Sequence, residues 1–278
     1  GMSWSWLYGH LLVLVQTAAI VAPFLILERL FPAERQPLRA VLFNAIYGVT
    51  AFAIIAAHSS VYVWLTSIVV PWRAATFALP HVFSRELGGW DLAARFVLYL
   101  AVVDFLAYWR HRALHRWPLL WRLHKLHHSD TAMNAMTSRR DHWLNEITYF
   151  VPVTIPAMIL FGPLDVPLAV ILLYMSTGFF NHANLRLQLG PLTPLVSGPQ
   201  YHRIHHSTLP QHLDRNFAGF FPVLDILFGT YYRPRPGEFP ATGLASGERI
   251  DSQWQGHLEP LYWRRGRPAE ARPMQAAE

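Results

Sequence analysis

The chain has 278 residues, of which 53% are hydrophobic and only 14% are charged, whereas soluble domains carry roughly 25% charged residues. It contains no cysteine, which excludes disulfides, cysteine-ligated iron–sulfur clusters, thiolate-ligated haem and cysteine nucleophiles. The net charge of +6 comes almost wholly from arginine, and beside long apolar runs it favours a membrane surface over nucleic acid as the partner.

Apolar runs predict about four to five membrane-embedded helices arranged in hairpins. In chain order they cover residues 6–27, 40–70, 92–109, 143–161 and 166–180. The first run has no formal charge over about 22 residues, and about 20 helical residues suffice to cross a hydrocarbon core. The second run is longer than one span requires, so we expect it to tilt or to continue along the interface. Gly162 and Pro163 separate the last two runs and predict a turn between them.

Histidines are concentrated in three short motifs. The first is HxxxH, at His111 and His115, and the other two are HxxHH. Because residues three or four apart share a helix face, we expect the first histidine of each motif to lie beside the later ones at one metal. With His182 as a ninth candidate, the predicted ligands are His111, His115, His124, His127, His128, His182, His202, His205 and His206.

Nine imidazoles exceed the three or four ligands that a single zinc ion takes, so the sequence predicts two metal ions. Imidazole alone binds zinc, copper, iron or nickel. A zinc hydrolase would normally place a general base beside the ligands, as in HExxH, but Arg112 occupies that position. A paired, redox-active metal with nearly all-nitrogen ligands favours iron. His142 and His212 remain candidates for additional ligands, whereas His10, His58, His81 and His257 are interpreted as interfacial side chains.

The pattern divides the chain into three regions. Residues 2–91 form a predicted transmembrane region, residues 92–240 a histidine-rich di-metal catalytic region with a membrane hairpin at 143–180, and residues 241–278 a C-terminal tail. Of the 23 basic residues, 17 lie at or after Arg110. By the positive-inside rule we therefore expect a multi-pass membrane protein whose histidine-rich region and C-terminus are cytoplasmic.

Several motifs together resemble the fatty-acid hydroxylase/sterol desaturase superfamily, over about residues 92–232. They are DFLAYWRHRALH at 104–115, LHKLHHS at 123–129, HRIHHS at 202–207, RNFAG at 215–219 and LDILFGT at 224–230. Some members carry HxxxH in the third motif, whereas here His182 is followed by Arg186. One ligand is therefore expected to be missing or replaced by water.

The resemblance implies an all-α integral-membrane bundle with a cytosolic histidine-rich cap. It also implies O2-dependent oxidation, by hydroxylation or desaturation, of a membrane lipid such as a fatty acyl chain, a sterol or a related isoprenoid. The expected cofactor is a pair of iron ions, with zinc loading on overexpression, and O2 is the co-substrate. A metal-dependent membrane hydrolase and a non-catalytic metal-binding membrane protein are the rival interpretations.

Other residues are expected to support the ligands from behind, and none beyond the ligands is expected to act in catalysis itself. Asp104, Tyr108, His111 and His115 fall on one helical stripe, so Asp104 is predicted to accept the outer N–H of a ligand histidine. The alternative for Asp104 is a capping or packing role. Further supporting candidates are Tyr108, Glu146, Asp214, Asn216 and Asp225.

The sequence has no dinucleotide-binding fingerprint, haem-attachment motif or ferredoxin-like cysteine set, so a separate electron donor is expected. A ferredoxin or a cytochrome with its reductase is favoured over a pterin, which ether-lipid-cleaving relatives use. The arginines at 110, 116, 122 and 139 are expected to meet either an acidic donor or anionic lipid. The remaining partner is the lipid substrate itself, reached from the bilayer.

Overall fold

The computed structural model describes residues 4–76, 89–161 and 168–261, and the ordered secondary structure in these ranges is helical. Its α-helices are α1 (Trp4–Leu30), α2 (Leu38–Ala57), α3 (Ser59–Thr76), α4 (Gly89–Arg116), α5 (Pro118–His128), α6 (Asn145–Tyr149), α7 (Ile155–Phe161), α8 (Leu168–His182), α9 (Pro199–His205), α10 (Val223–Leu227) and α11 (Gln253–Leu258). In the described ranges β-structure is limited to two isolated bridges, so the all-α prediction is confirmed.

Two of these helices, α1 and α2, are long and apolar enough to cross a membrane. Only 6% of the apolar window of α1 and 22% of that of α2 is buried inside the protein, so both helices direct most of their apolar side chains outward. An exposed apolar surface of this extent is what a lipid environment requires. Shorter apolar stretches lie at Ser59–Val69 and Asn145–Phe161.

The second apolar run divides at His58 into α2 and α3. The expectation that this run forms one tilted helix is therefore wrong. His58 leaves the helical conformation, and its backbone N–H closes the last turn of α2 on the carbonyls of Ile55 and Ala56. The turn predicted around Gly162 and Pro163 lies outside the described residues.

A buried carboxylate joins α1 to the segments that carry the histidines. Glu28, in the last turn of α1, accepts the backbone N–H of Ala135 at 2.7 Å and that of Asn184 at 2.6 Å. Ala135 follows α5, and Asn184 lies two residues beyond the end of α8. The histidine-bearing segments, which we call the cap, therefore sit at the C-terminal end of α1.

A buried arginine joins α5 to α2 and to the C-terminal segment. Arg140 donates to the carbonyl of Leu126 at 3.2 Å, to Ser129 Oγ at 2.9 Å, to Asn44 Oδ1 at 3.2 Å and to the carbonyl of Ile250 at 2.6 Å. Residues 241–261, expected to belong to a tail, thus pack on the cap, and residues 262–278 lie outside the described ranges.

Candidate metal centre

The nine predicted ligands come together in two groups. Within each group the candidate ligand atoms lie within 4.8 Å of one another. Cluster one consists of His111, His115, His124, His128 and His205. Cluster two consists of His127, His182, His202 and His206. Both groups are made of histidine alone among the residues that the structure describes, as the sequence predicted.

Each HxxHH motif is divided between the two clusters. The motif in α5 gives its first and last histidines to cluster one and His127 to cluster two. The motif at the end of α9 gives its first and last histidines to cluster two and His205 to cluster one. Consecutive helical residues are about 100° apart, so a histidine at i+3 points well away from one at i+4. The prediction that the first histidine of each motif shares a metal with both later ones is therefore wrong. Since the rings of His128 and His206 stack at 4.3 Å between centroids, the two clusters adjoin.

The ligand nitrogens converge at the spacing that a metal ion imposes. In cluster one, the Nε2 atoms of His115 and His128 are 3.1 Å apart, and in cluster two those of His127 and His182 are 3.0 Å apart. Nitrogens bound at about 2.1 Å in adjacent octahedral positions would be about 3 Å apart.

Hydrogen bonds to Nδ1 fix the tautomers of two of these ligands. His182 Nδ1 lies 2.7 Å from the carbonyl of Gly178 and His115 Nδ1 lies 3.1 Å from Asp214 Oδ1, and because both partners only accept, each Nδ1 carries the proton. Each Nε2 therefore presents a lone pair. His205 Nε2 is buried without any hydrogen-bond partner in the described part of the chain. Converging lone pairs repel one another, and a cation between them removes the repulsion, so these residues fit a metal ion.

Burial keeps the ligands in the neutral form that binds metal. Desolvation lowers the pKa of His127 to about 3, with a further contribution from the neighbouring His182. Desolvation, followed by the neighbouring imidazoles, holds the pKa well below its ordinary value for His124, His128, His202, His205 and His206. These imidazoles are neutral at physiological pH, as metal ligation requires.

One short loop, residues 214–217, orients three ligands of cluster one. Asp214 Oδ1 accepts the outer N–H of His115 at 3.1 Å, the carbonyl of residue 215 accepts that of His205 at 2.8 Å, and the carbonyl of Phe217 accepts that of His111 at 2.8 Å. Such acceptors fix the tautomer and the ring orientation of a ligand. The candidate Asp214 thus lies where a supporting residue was predicted.

Asp104 does not accept a histidine N–H. Its carboxylate instead accepts the backbone N–H groups of Gly219, Phe220 and Phe221, at 3.1, 2.9 and 2.7 Å. It therefore supports cluster one only indirectly, by holding the segment that continues the orienting loop. The alternative expectation, a structural role, describes it better.

Asp225 holds the same segment from the other side. It accepts the backbone N–H groups of Phe217 at 2.7 Å and Ala218 at 2.9 Å, and also the hydroxyls of Thr230 and Tyr201. Burial raises the pKa of the Asp225 carboxyl, and these four donors oppose the rise.

The other supporting candidates contact backbone groups or side chains outside the clusters and not a nitrogen of a candidate ligand. Tyr108 is buried, with its hydroxyl 2.8 Å from Thr230 Oγ1. Asn216 adopts a left-handed conformation (φ 59°), and its side chain bonds the backbone of Tyr201 and Tyr232. The side chain of Glu146 is exposed.

The two further histidines considered as ligands lie outside both clusters. His142 Nε2 is 2.9 Å from the carbonyl of His257, and His142 Nδ1 accepts the N–H of Leu144. His212 lies between Ser207 Oγ, at 2.9 Å, and Glu238 Oε1, at 3.2 Å. Both side chains fasten loops of the cap.

Comparison with known proteins agrees with this geometry. Residues 96–230 match the family model described as fatty acid hydroxylase. An ornithine lipid hydroxylase of Rhizobium tropici is 29% identical over 264 residues, which cover 92% of this chain and 76% of that protein. An alkylglycerol monooxygenase of Danio rerio is 33% identical over 144 residues, which cover 51% of this chain and 31% of that protein.

A very-long-chain aldehyde decarbonylase of Oryza sativa subsp. japonica is 28% identical over 169 residues, which cover 58% of this chain and 56% of that protein. No solved structure matches the chain. The segment that matches the family model contains every histidine of both clusters, so residues 96–230 of this oxidoreductase form a fatty acid hydroxylase domain.

Proposed function

We propose that the chain uses O2 to oxidise a C–H bond of a membrane lipid at a centre of two iron ions. The observation that carries the proposal is the convergence of nine imidazoles, of which seven are buried and two half-buried, into two adjoining clusters, in a chain whose α1 and α2 expose apolar surface. Hydroxylation of one C–H bond consumes one O2, two electrons and two protons and releases one water. Bound iron would supply the redox chemistry with O2, whereas the protein positions the reactants.

The chain itself holds the ions side by side and keeps water away from them. Phe217 packs against the rings of His111, His115 and His205, with centroid distances of 5.5, 5.0 and 5.5 Å. Trp121 packs against His115 at 5.1 Å. These aromatic rings shield cluster one, and a dry site limits the loss of oxidising equivalents to side reactions.

We propose a polar acyl lipid as the substrate class. An ornithine lipid hydroxylase is similar to this chain over 92% of its length. A lipid substrate reaches such a centre from the bilayer, along the exposed apolar faces of α1 and α2.

Isotope labelling tests the reaction. We expect protein made in iron-replete medium to carry close to two irons per chain. We also expect cells that express it to accumulate a lipid about 16 mass units heavier than its precursor under ordinary O2 and about 18 mass units heavier under 18O2. Mass spectrometry of extracted lipids and metal analysis are the measurements. Lipid turnover that continues without O2 would support a hydrolase instead, and activity at a saturating stoichiometry of one iron would refute the two-iron centre.

We also propose a multi-pass topology with the cap and the C-terminus in the cytoplasm. The charge distribution supports this orientation, because 17 of 23 basic residues lie at or after Arg110. Reporter fusions after Arg233 and within residues 71–89 are expected to report opposite sides of the membrane. Two fusions on the same side would contradict the topology.

A separate soluble electron donor completes the proposed reaction, and the surface after α4 is its proposed docking site. Arg110 is engaged with Thr148 and Asn145, and Arg139 packs over the ring of Phe179, so neither is arranged for docking. Arg116 and Trp117 are exposed beside Trp121, which contacts cluster one.

Charge reversal tests this docking site. Arg116→Glu should slow reduction of the iron-loaded protein by a plant-type ferredoxin at low salt, since exposed charge pairs act mainly on association rates. Reduction by dithionite should stay unchanged. Equal ferredoxin rates for Arg116→Glu and the native protein would place docking elsewhere.

A further inference from the structure

The two clusters differ in the hydrogen bonds made by the outer nitrogens of their histidines, the Nδ1 atoms that face away from the candidate metal site. In cluster one, the outer nitrogens of His111, His115 and His205 all donate to the loop at 214–217. His124 Nδ1 lacks a hydrogen-bond partner among the described residues and lies 3.9 Å from Asp141 Oδ1. Most of this cluster is therefore oriented before any metal binds.

Cluster two lacks comparable support. His182 Nδ1 donates to the carbonyl of Gly178. The outer nitrogens of His127, His202 and His206 are buried and have no hydrogen-bond partner in the described ranges. Cluster two also has four ligands against the five of cluster one.

The orienting loop is itself fixed. Asp214 and Asn216 both adopt left-handed backbone conformations, with φ of 56° and 59°. Asx side chains tolerate this region better than most residues do. Asp104 and Asp225 together bind the backbone N–H groups of residues 217–221. The loop therefore presents its acceptors to cluster one in a single geometry.

Outer acceptors of this kind strengthen metal binding, and their removal typically costs about 10–100-fold in affinity. The carboxylate of Asp214 adds a negative charge beside neutral ligands, and its hydrogen bond with the N–H of His115 is charge-assisted. In contrast, the buried outer nitrogens of His127, His202 and His206 make no hydrogen bond to a described residue.

We infer that the two metal sites are unequal: cluster one is the high-affinity site and fills first, cluster two fills second and exchanges its metal more readily, and Asp214 is the positioning residue that sets the difference. The inference rests on the metal centre of the proposed function, but it requires neither O2 nor lipid.

Cobalt titration of the metal-free protein tests the inference, with Co(II) absorption and equilibrium dialysis as readouts. We expect two resolved binding steps, the first at least about 10-fold tighter than the second. Because the first Co(II) enters a site with five nitrogen ligands and the second a site with four, the second step should add the more intense absorption of lower coordination. Equal affinities and identical spectra for the two equivalents would overturn the inference.

Substitution of Asp214 identifies the residue responsible. Asp214→Gly removes the carboxylate without opposing the left-handed backbone. It should weaken Co(II) binding at the five-ligand cluster one about 10–100-fold and leave binding at the four-ligand cluster two unchanged, the two being distinguished by their absorption. Asp214→Asn keeps an acceptor of the same size and should recover part of the loss. The matched control is Asp251→Gly, which removes an exposed carboxylate paired with Arg249 and should change neither step.

The outcomes separate this inference from the proposed reaction. An unchanged first step in Asp214→Gly, or an equal weakening of both steps, would refute the role of Asp214. If Co(II) binds in two resolved steps but no 18O enters a lipid, the inference of unequal sites holds and the proposed reaction is refuted. Should Asp214→Gly fail to fold, as judged by circular dichroism, the Asp214→Asn variant still decides, because a neutral acceptor for the His115 N–H must weaken the binding of Co(II) to cluster one.

Discussion

Replacement of His205 by alanine is expected to abolish lipid oxidation and to lower the bound metal. The side chain lies in cluster one, its outer nitrogen is held by the carbonyl of residue 215, and its Nε2 is buried without a partner in the described part of the chain. Since the loss of an outer partner alone costs about 10–100-fold, we expect loss of the ligand itself to reduce turnover by at least about 100-fold. Product per inserted protein and metal content are the measurements.

Three further histidine variants separate ligands from bystanders. His182→Ala should behave like His205→Ala, because His182 Nε2 lies 3.0 Å from the Nε2 atoms of both His127 and His202. His10→Ala and His257→Ala should leave turnover nearly unchanged, since both side chains lie outside the clusters. Full activity in His182→Ala would remove it from cluster two. Insertion should persist in all variants because membrane helices satisfy their own backbone hydrogen bonds.

Replacement of Asp225 by alanine is expected to destabilise the protein by about 3–5 kcal/mol, the usual cost of removing one partner from a buried charged network. Two backbone N–H groups and the hydroxyls of Thr230 and Tyr201 lose their acceptor. The orienting loop should loosen as a result, so the first Co(II) should also bind less tightly. Thermal unfolding in detergent and cobalt titration measure the two effects.

The control for Asp225 is Asp251→Ala, which removes an exposed carboxylate and should change stability by less than about 1 kcal/mol. Asp225→Asn should be milder than Asp225→Ala, since the amide keeps one acceptor oxygen. If Asp225→Ala unfolds at the same temperature as the native protein, the four hydrogen bonds do not hold the loop.

Helical spacing and histidine density mark the nine histidines directly, and the structure brings all nine together, whereas their role as metal ligands stays a prediction. The sequence did not predict how each HxxHH motif divides, because spacings of three and four both count as one face until the positions of two ions are known. Asp104 was assigned the wrong partner for a geometric reason. It precedes His111 by seven residues, which is about 10.5 Å along a helix and too far for a direct bond.

The orienting carbonyls at residues 215 and 217 carry no side-chain signal, since every residue has a carbonyl. Their only trace in the sequence is the pair Asp214 and Asn216, residue types that favour left-handed turns. The break between α2 and α3 was missed for a similar reason, because His58 and the serines after it are neither glycine nor proline.

The helices that carry the two clusters also determine how the protein is expected to respond to metal. Helix α4 carries His111 and His115 of cluster one, and α8 carries His182 of cluster two, whereas α5 and α9 each contribute to both clusters. An ion bound in each cluster would cross-link the helices of that cluster, and the two short helices α5 and α9 would connect α4 to α8. We therefore expect metal binding to restrict the sliding of α4 past α8, because that movement would break a bond between the metal and a histidine nitrogen.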